Sequence, residues 1–118
     1  MKKNDVKIWV KALRSGEYQQ CKQALHVNSG EFCCLGVMID ELIDGDWEYD
    51  NSRHCWIMDK ECKFPSDRIL KKLKLTDAAV NLLVDMNDYY NNDFNYIADF
   101  IELNSDQLDK ESPQWKRL

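Results

Sequence analysis

Cys33 and Cys34 stand side by side in the most apolar run of the chain, Glu31-Phe32-Cys33-Cys34-Leu35-Gly36-Val37-Met38-Ile39-Asp40-Glu41-Leu42. A thiol at a helix N-terminus can ionise early and act as a nucleophile. That chemistry needs a base, and no spacing ties either histidine, His26 or His54, to the pair. The same two side chains also serve as small apolar residues opening a core helix. We take that reading and assign no catalytic residue. His26, Cys33, Cys34, His54, Cys55 and Cys62 could in principle supply zinc ligands. The paired-cysteine knuckle of structural zinc sites is missing, so no metal and no cofactor are expected.

Carboxylates are the next chemistry-bearing group. Asp85 with Asp88, and Asp99 with Glu102, sit at i, i+3. Paired acids can act as acid and base or hold a hard cation. Asp85-Met86-Asn87-Asp88 lacks the glycine and terminal glutamate of a calcium loop, so a solvated helix face is the simpler account. The net charge of −5 is unevenly spread. Residues 76–112 carry nine acids against the single base Lys110, whereas Lys63, Arg68, Lys71, Lys72 and Lys74 cluster against Asp67. The four glycines form no phosphate-cradling loop, and the chain is acidic, which argues against direct nucleic-acid binding.

Two surfaces remain. Tyr89-Tyr90-Asn91-Asn92-Asp93-Phe94-Asn95-Tyr96 concentrates aromatic and amide side chains, with Tyr89, Tyr90, Asn92, Asp93 and Tyr96 as candidate contacts to a protein. Tyrosine buries a large area at low entropy cost and keeps a polar tip, a combination that suits a binding surface as well as an anchored loop. Alternatively, Arg14, Trp47, Arg53, Trp56, Arg68 and Lys72 could converge on a pocket for a small nucleotide, cations meeting phosphate and indoles meeting base.

The elements that must position these residues follow from periodicity. Val6, Trp9, Val10 and Leu13 mark one face of a first helix, capped by Asn4 or Asp5 and stopped by Ser15-Gly16. Residues 17–28 show no helical period and read as a short strand or an ordered loop closed by Asn28-Ser29-Gly30. Leu35, Met38, Ile39 and Leu42 define a central core helix, widened by Phe32 and Ile43 and ended by Asp44-Gly45-Asp46. Residues 47–64 favour strands, predicting an antiparallel hairpin or three-stranded meander. After Pro65, Ser66 caps a short basic helix, and Thr76 caps another with Val80, Leu83 and Val84 buried. Residues 87–92 read as a loop, and Asn92 or Asp93 caps a last helix carrying Phe94, Ile97, Ala98 and Ile101.

At 118 residues the chain fits one domain, expected over 1–104, with a polar tail over 105–118. No apolar run is long enough to span a bilayer, and no signal region follows Met1-Lys2-Lys3, so a cytoplasmic setting is expected, away from membranes. The five cysteines, odd in number, are then expected to be reduced.

Ala12-Leu13-Arg14-Ser15-Gly16-Glu17-Tyr18-Gln19-Gln20, Phe32-Cys33-Cys34-Leu35-Gly36-Val37 with Asp40, Met86-Asn87-Asp88, and Phe94 to Glu102 together resemble a family of small, largely uncharacterised phage and prophage proteins. The likeness covers roughly residues 9–102. The chain departs from it at Tyr89-Tyr90-Asn91-Asn92, where that family often carries a glycine-containing turn. The resemblance implies viral origin and a host-cytoplasm setting, and it brings no catalytic residues. From the periodicity above, the expectation is an α+β domain of about five helices around a central core helix, with a small antiparallel sheet. Its expected role is that of a phage accessory factor binding a host protein. A small-ligand binder that sequesters a nucleotide signal is the alternative, and a cysteine-dependent enzyme is a further one. A homo-oligomer is compatible with either binding role.

Overall fold

Val6, Trp9, Val10 and Leu13 do share one buried face of α1 (Lys3–Arg14) in the computed structural model, which describes all 118 residues. The helix starts earlier than its polar residues suggested. Lys2 is the N-cap without a side-chain bond, and Asp5 lies in the first turn, where its charge suits the positive end of the dipole. Ser15 ends it by donating from Oγ to the Ala12 carbonyl at 2.6 Å, and Gly16 takes a φ of +78° to turn the chain.

Five short strands follow the topology β1-β3-β2-β5-β4. They are β1 (Gln19–Gln20), β2 (His26–Val27), β3 (Glu31–Phe32), β4 (Glu48–Asp50) and β5 (Cys55–Ile57). β1 and β3 pair in parallel; the other pairings are antiparallel. The separate sheet expected from residues 47–64 is thereby corrected. Its two strands join three others from 19–32, and Phe32 belongs to β3 rather than to a helix. Strands of two or three residues are too short to show the alternation that identifies a strand in sequence.

The register stacks aromatic rings across the sheet. Tyr49 opposes Trp56, Trp56 opposes His26, and His26 opposes Phe32. His26 lies flat on Phe32 with centroids 3.8 Å apart, and Trp47 meets both rings edge-on. Such cross-strand pairs are what hold so small a sheet together.

α2 (Cys34–Leu42) is buried from Cys34 to Ile39. α3 (Asp67–Leu73), α4 (Asp77–Asp88) and α5 (Phe94–Leu103) begin at Ser66, Thr76 and Asp93, whose side chains accept from the backbone N–H three residues on. The architecture is α+β, five helices with a five-stranded mixed sheet. α2 does not organise the core alone: α1 lies along both α5 and α2, and α2 in turn contacts α4. No helix is long and apolar enough to cross a membrane.

Two further features differ from expectation. Cys55 and Cys62 form a disulfide with Cα atoms 6.3 Å apart, so only Cys21, Cys33 and Cys34 are free thiols. Between the bonded pair, Asp59 and Lys60 both take positive φ, and Met58 pairs with Glu61 across that two-residue turn. The residues beyond 104, polar by composition, fold back on the domain. Leu108 is fully buried, Trp115 packs on Phe100, and the buried Asn104 side chain binds both the N–H and the carbonyl of Lys116.

Gly36 permits the closest approach in the core. A Cβ placed there would overlap the Leu25 carbonyl oxygen, and the same carbonyl accepts from the Cys33 N–H at 3.0 Å. In an exposed helix, glycine-to-alanine gains ~1 kcal/mol. Here Gly36→Ala is expected to lose about 2–3 kcal/mol through forced backbone displacement, with Gly36→Leu failing to fold. Urea denaturation midpoints check the sign; a midpoint unchanged or raised by Gly36→Ala would contradict this packing.

Candidate functional site

Asn87 shows how the aromatic loop is built. It continues the buried face of α4 marked by Val80 and Leu83, and α4 runs through Asp88, so Asn87 and Asp88 are helical and the loop is shorter than expected. The buried Asn87 Oδ1 accepts from Gln20 Nε2 at 2.9 Å and from the Cys34 N–H at 3.2 Å. Its Nδ2 donates to the Cys21 carbonyl at 2.8 Å and to Asp88 Oδ1 at 2.9 Å. Gln20 Nε2 also donates to the Asn92 carbonyl at 2.9 Å, and the Asn92 N–H reaches the Met86 carbonyl at 3.0 Å. The Tyr89 and Tyr90 N–H groups both bond to the Asp85 carbonyl.

The loop backbone is therefore pinned while its rings are not. Tyr89 is 82% exposed, Tyr90 66% and Tyr96 44%. Asn92 and Asp93 have structural duties, Asn92 as described and Asp93 by accepting from the Tyr96 N–H at 2.8 Å to cap α5. Sequence reading named the tyrosines as candidates and met Gln20 and Asn87 only within the family motifs, without assigning them to this loop. The available signal was the position of Asn87 on the helix face already carrying Val80 and Leu83.

The six residues of the nucleotide alternative hold separate posts. Arg14 donates to Asp99 at 2.6 Å and to Glu102 at 3.3 Å, tying α1 to α5. Arg53 pairs with Asp50 and reaches the Lys60 carbonyl, while Arg68 pairs with Asp59, so both arginines brace the 59–60 turn. These bonds hold the Asp50 and Asp59 carboxyls below the usual range, chiefly through the side-chain contacts from Arg53 and Arg68. Trp47 and Trp56 each meet His26, Trp47 edge-on and Trp56 stacked, and Trp47 donates its indole N–H to Asp40 at 3.0 Å. Lys72 is exposed on α3.

Cys33 and Cys34 lie in the core. Burial pushes the Cys33 thiol up to about 12 and the Cys34 thiol well above its ordinary value; Cys21 rises, for the same first reason, to about 11. Cys33 Sγ accepts from the Gly36 N–H at 3.4 Å as the cap of α2, and Cys34 Sγ contacts the Leu83 carbonyl at 3.7 Å. Thiols held protonated are poor nucleophiles. Tyr18 donates to Asp40 at 2.6 Å, and its phenol is pushed up by burial first and by that carboxylate second.

A family model described as Domain of unknown function (DUF8296) matches residues 1–69. The chain belongs to the DUF8296 family. The matched span holds α1, all five strands and α2, and it reaches Ile69 in α3, whereas Asn87 and the tyrosine loop lie beyond it. No curated protein and no solved structure matches the chain.

Two outcomes follow from this geometry. Asn87→Ala strands the Cys34 N–H and the Cys21 carbonyl and is expected to cost about 2–3 kcal/mol, read from denaturant melts. For the thiols, iodoacetamide at neutral pH should leave Cys21, Cys33 and Cys34 unmodified in the folded protein and alkylate all three in urea, as mass spectrometry would show. Because these thiols titrate above their ordinary value of 9.0 only when folded, the unfolded chain binds fewer protons above that pH. Their contribution is intact below pH 9 and declines as pH climbs through the folded values of about 11 and 12.

Proposed function

We propose that this protein is a non-enzymatic accessory factor of phage or prophage origin. It acts in the host cytoplasm by binding a host protein, as a counter-defence or host-takeover factor. The observation that supports this reading is the pairing of a pinned backbone with free rings. Gln20, Asn87 and Asn92 fix the loop, and Tyr89 and Tyr90 project from it with most of their surface in solvent. A loop ordered before binding loses little entropy on docking, and tyrosine is among the residues that dominate interface energetics.

The residues behind the family resemblance are largely occupied with one another. Arg14 holds Asp99 and Glu102, Gln20 holds Asn87, and Cys34 takes its N–H to Asn87. That leaves recognition to the surface, where the acidic C-terminal third adds charge around the tyrosines. Acids there steer a basic partner and set the salt dependence of the encounter.

Tyr89→Ala/Tyr90→Ala should leave thermal stability within about 0.5 kcal/mol, since both side chains are exposed. In affinity capture from host lysate, the same double variant should lose a host protein that the unaltered chain retains. Recovery of no host protein, or equal recovery by both forms, would refute the reading.

A further inference from the structure

Beside the tyrosine loop lies an open groove of about 570 Å³. One wall is Lys63 and Phe64, on the segment between β5 and α3; the other is Val84, Asp85 and Asp88 of α4, with Tyr89 at its end. The volume is that of a site for a few side chains. Both aromatic rings are open, Phe64 at 41% exposure and Tyr89 at 82%.

The charge state of the groove narrows what could fill it. The ion pairs of the fold are Arg14 with Asp99 and Glu102, Arg53 with Asp50, and Arg68 with Asp59. Asp85 and Asp88 take part in none of them. Asp88 accepts from the Asn87 amide, and the Asp85 side chain is exposed. An anionic occupant would be repelled by both carboxylates. A purely apolar one would strip water from them without compensation. Lys63 Nζ sits 5.8 Å from the Phe64 ring centroid, so the groove sets one cation of its own against two carboxylates and keeps a net negative charge.

We propose that this groove receives a basic peptide segment of the partner, with an arginine or lysine side chain lying between the Asp85 and Asp88 carboxylates and the rings of Phe64 and Tyr89. The assignment rests on the host-protein reading above and specifies the chemistry of the partner. Guanidinium is the better fit of the two, because it can bond a carboxylate and stack on a ring at once.

The test is fluorescence anisotropy of the full chain with a labelled nona-arginine peptide, at about 0.15 M salt so that distant charges are screened. Asp85→Asn and Phe64→Ala, each verified as folded by thermal melting, should weaken binding about fivefold. A control with equal or greater charge loss elsewhere, Asp106→Asn/Glu111→Gln, should change it less than about twofold. Absence of saturable binding, or equal weakening by the control, would overturn the assignment. Lysate capture separates the two claims. A host protein lost with Tyr89→Ala/Tyr90→Ala but kept by both Asp85→Asn and Phe64→Ala would defeat the groove and leave the host-protein reading standing. The expected peptide pattern with no host protein captured would support the groove and defeat that reading.

Discussion

The Asn87 carboxamide ties α4 to the edge of the sheet and to the start of α2. A carboxamide has two donor hydrogens and an oxygen with room for two bonds. Asn87 uses all four, on Gln20, Cys34, Cys21 and Asp88. One of these partners is an N–H at the start of α2, which a helix leaves without an internal acceptor. Another is a carbonyl just past the edge strand β1. A buried amide saturated in this way gains from the low dielectric around it; one left half-satisfied would cost more than an apolar residue. The cost of burying a polar side chain is thus turned into a constraint that sets α4 against both the sheet and α2.

Close approach is the second constraint, and it explains the cysteines and glycine at the start of α2. Leu25 runs across the helix with its carbonyl accepting from Cys33 and its N–H donating to the Cys62 carbonyl at 2.7 Å. That path exists because Gly36 has no Cβ. On the opposite side, the fully buried Trp9 donates its indole N–H to the Cys34 carbonyl at 2.9 Å, so α1 is registered on the same residue. Cys34 is therefore held through its N–H by α4, through its carbonyl by α1, and through its sulfur by Leu83. Small side chains at 33, 34 and 36 are what allow three elements to meet there.

Much of this is legible in the sequence, and the boundary between what is and what is not has physical causes. Helices with a seven-residue apolar pattern and a Ser, Thr or Asp cap were found at their starts, because both signals are local: Ser66, Thr76 and Asp93 each cap as their side-chain chemistry dictates. α1 departed only at its cap. Residues 17–28 read equally as a short strand or an ordered loop and Phe32 as part of a helix, because the strands at His26 and Phe32 are defined by partners from distant segments, not by their own two-residue patterns. Asn87 was read as a loop former because asparagine favours turns, and tertiary bonding overrode that preference. The Cys55–Cys62 pairing was unreadable from an odd count, and Leu108 was overlooked because one apolar residue among polar neighbours carries no period.

The same division separates the frame from the surface proposed for recognition. The four salt-bridged contacts are solvent-exposed and individually worth little. They act mostly by consuming charge: Arg14, Arg53 and Arg68 neutralise the acids nearest to them, and the carboxylates that remain free are thereby made distinct. On α4, Asp85 and Asp88 are left without such a partner beside rings that also lack a covering layer. A chain with net charge −5 will attract cations diffusely. Specific recognition requires that attraction to be concentrated where shape and aromatic surface coincide. The backbone that carries Tyr89 is pinned through Gln20 and Asn92 to the buried amide of Asn87, so the place from which the exposed ring projects is set by the core of the protein.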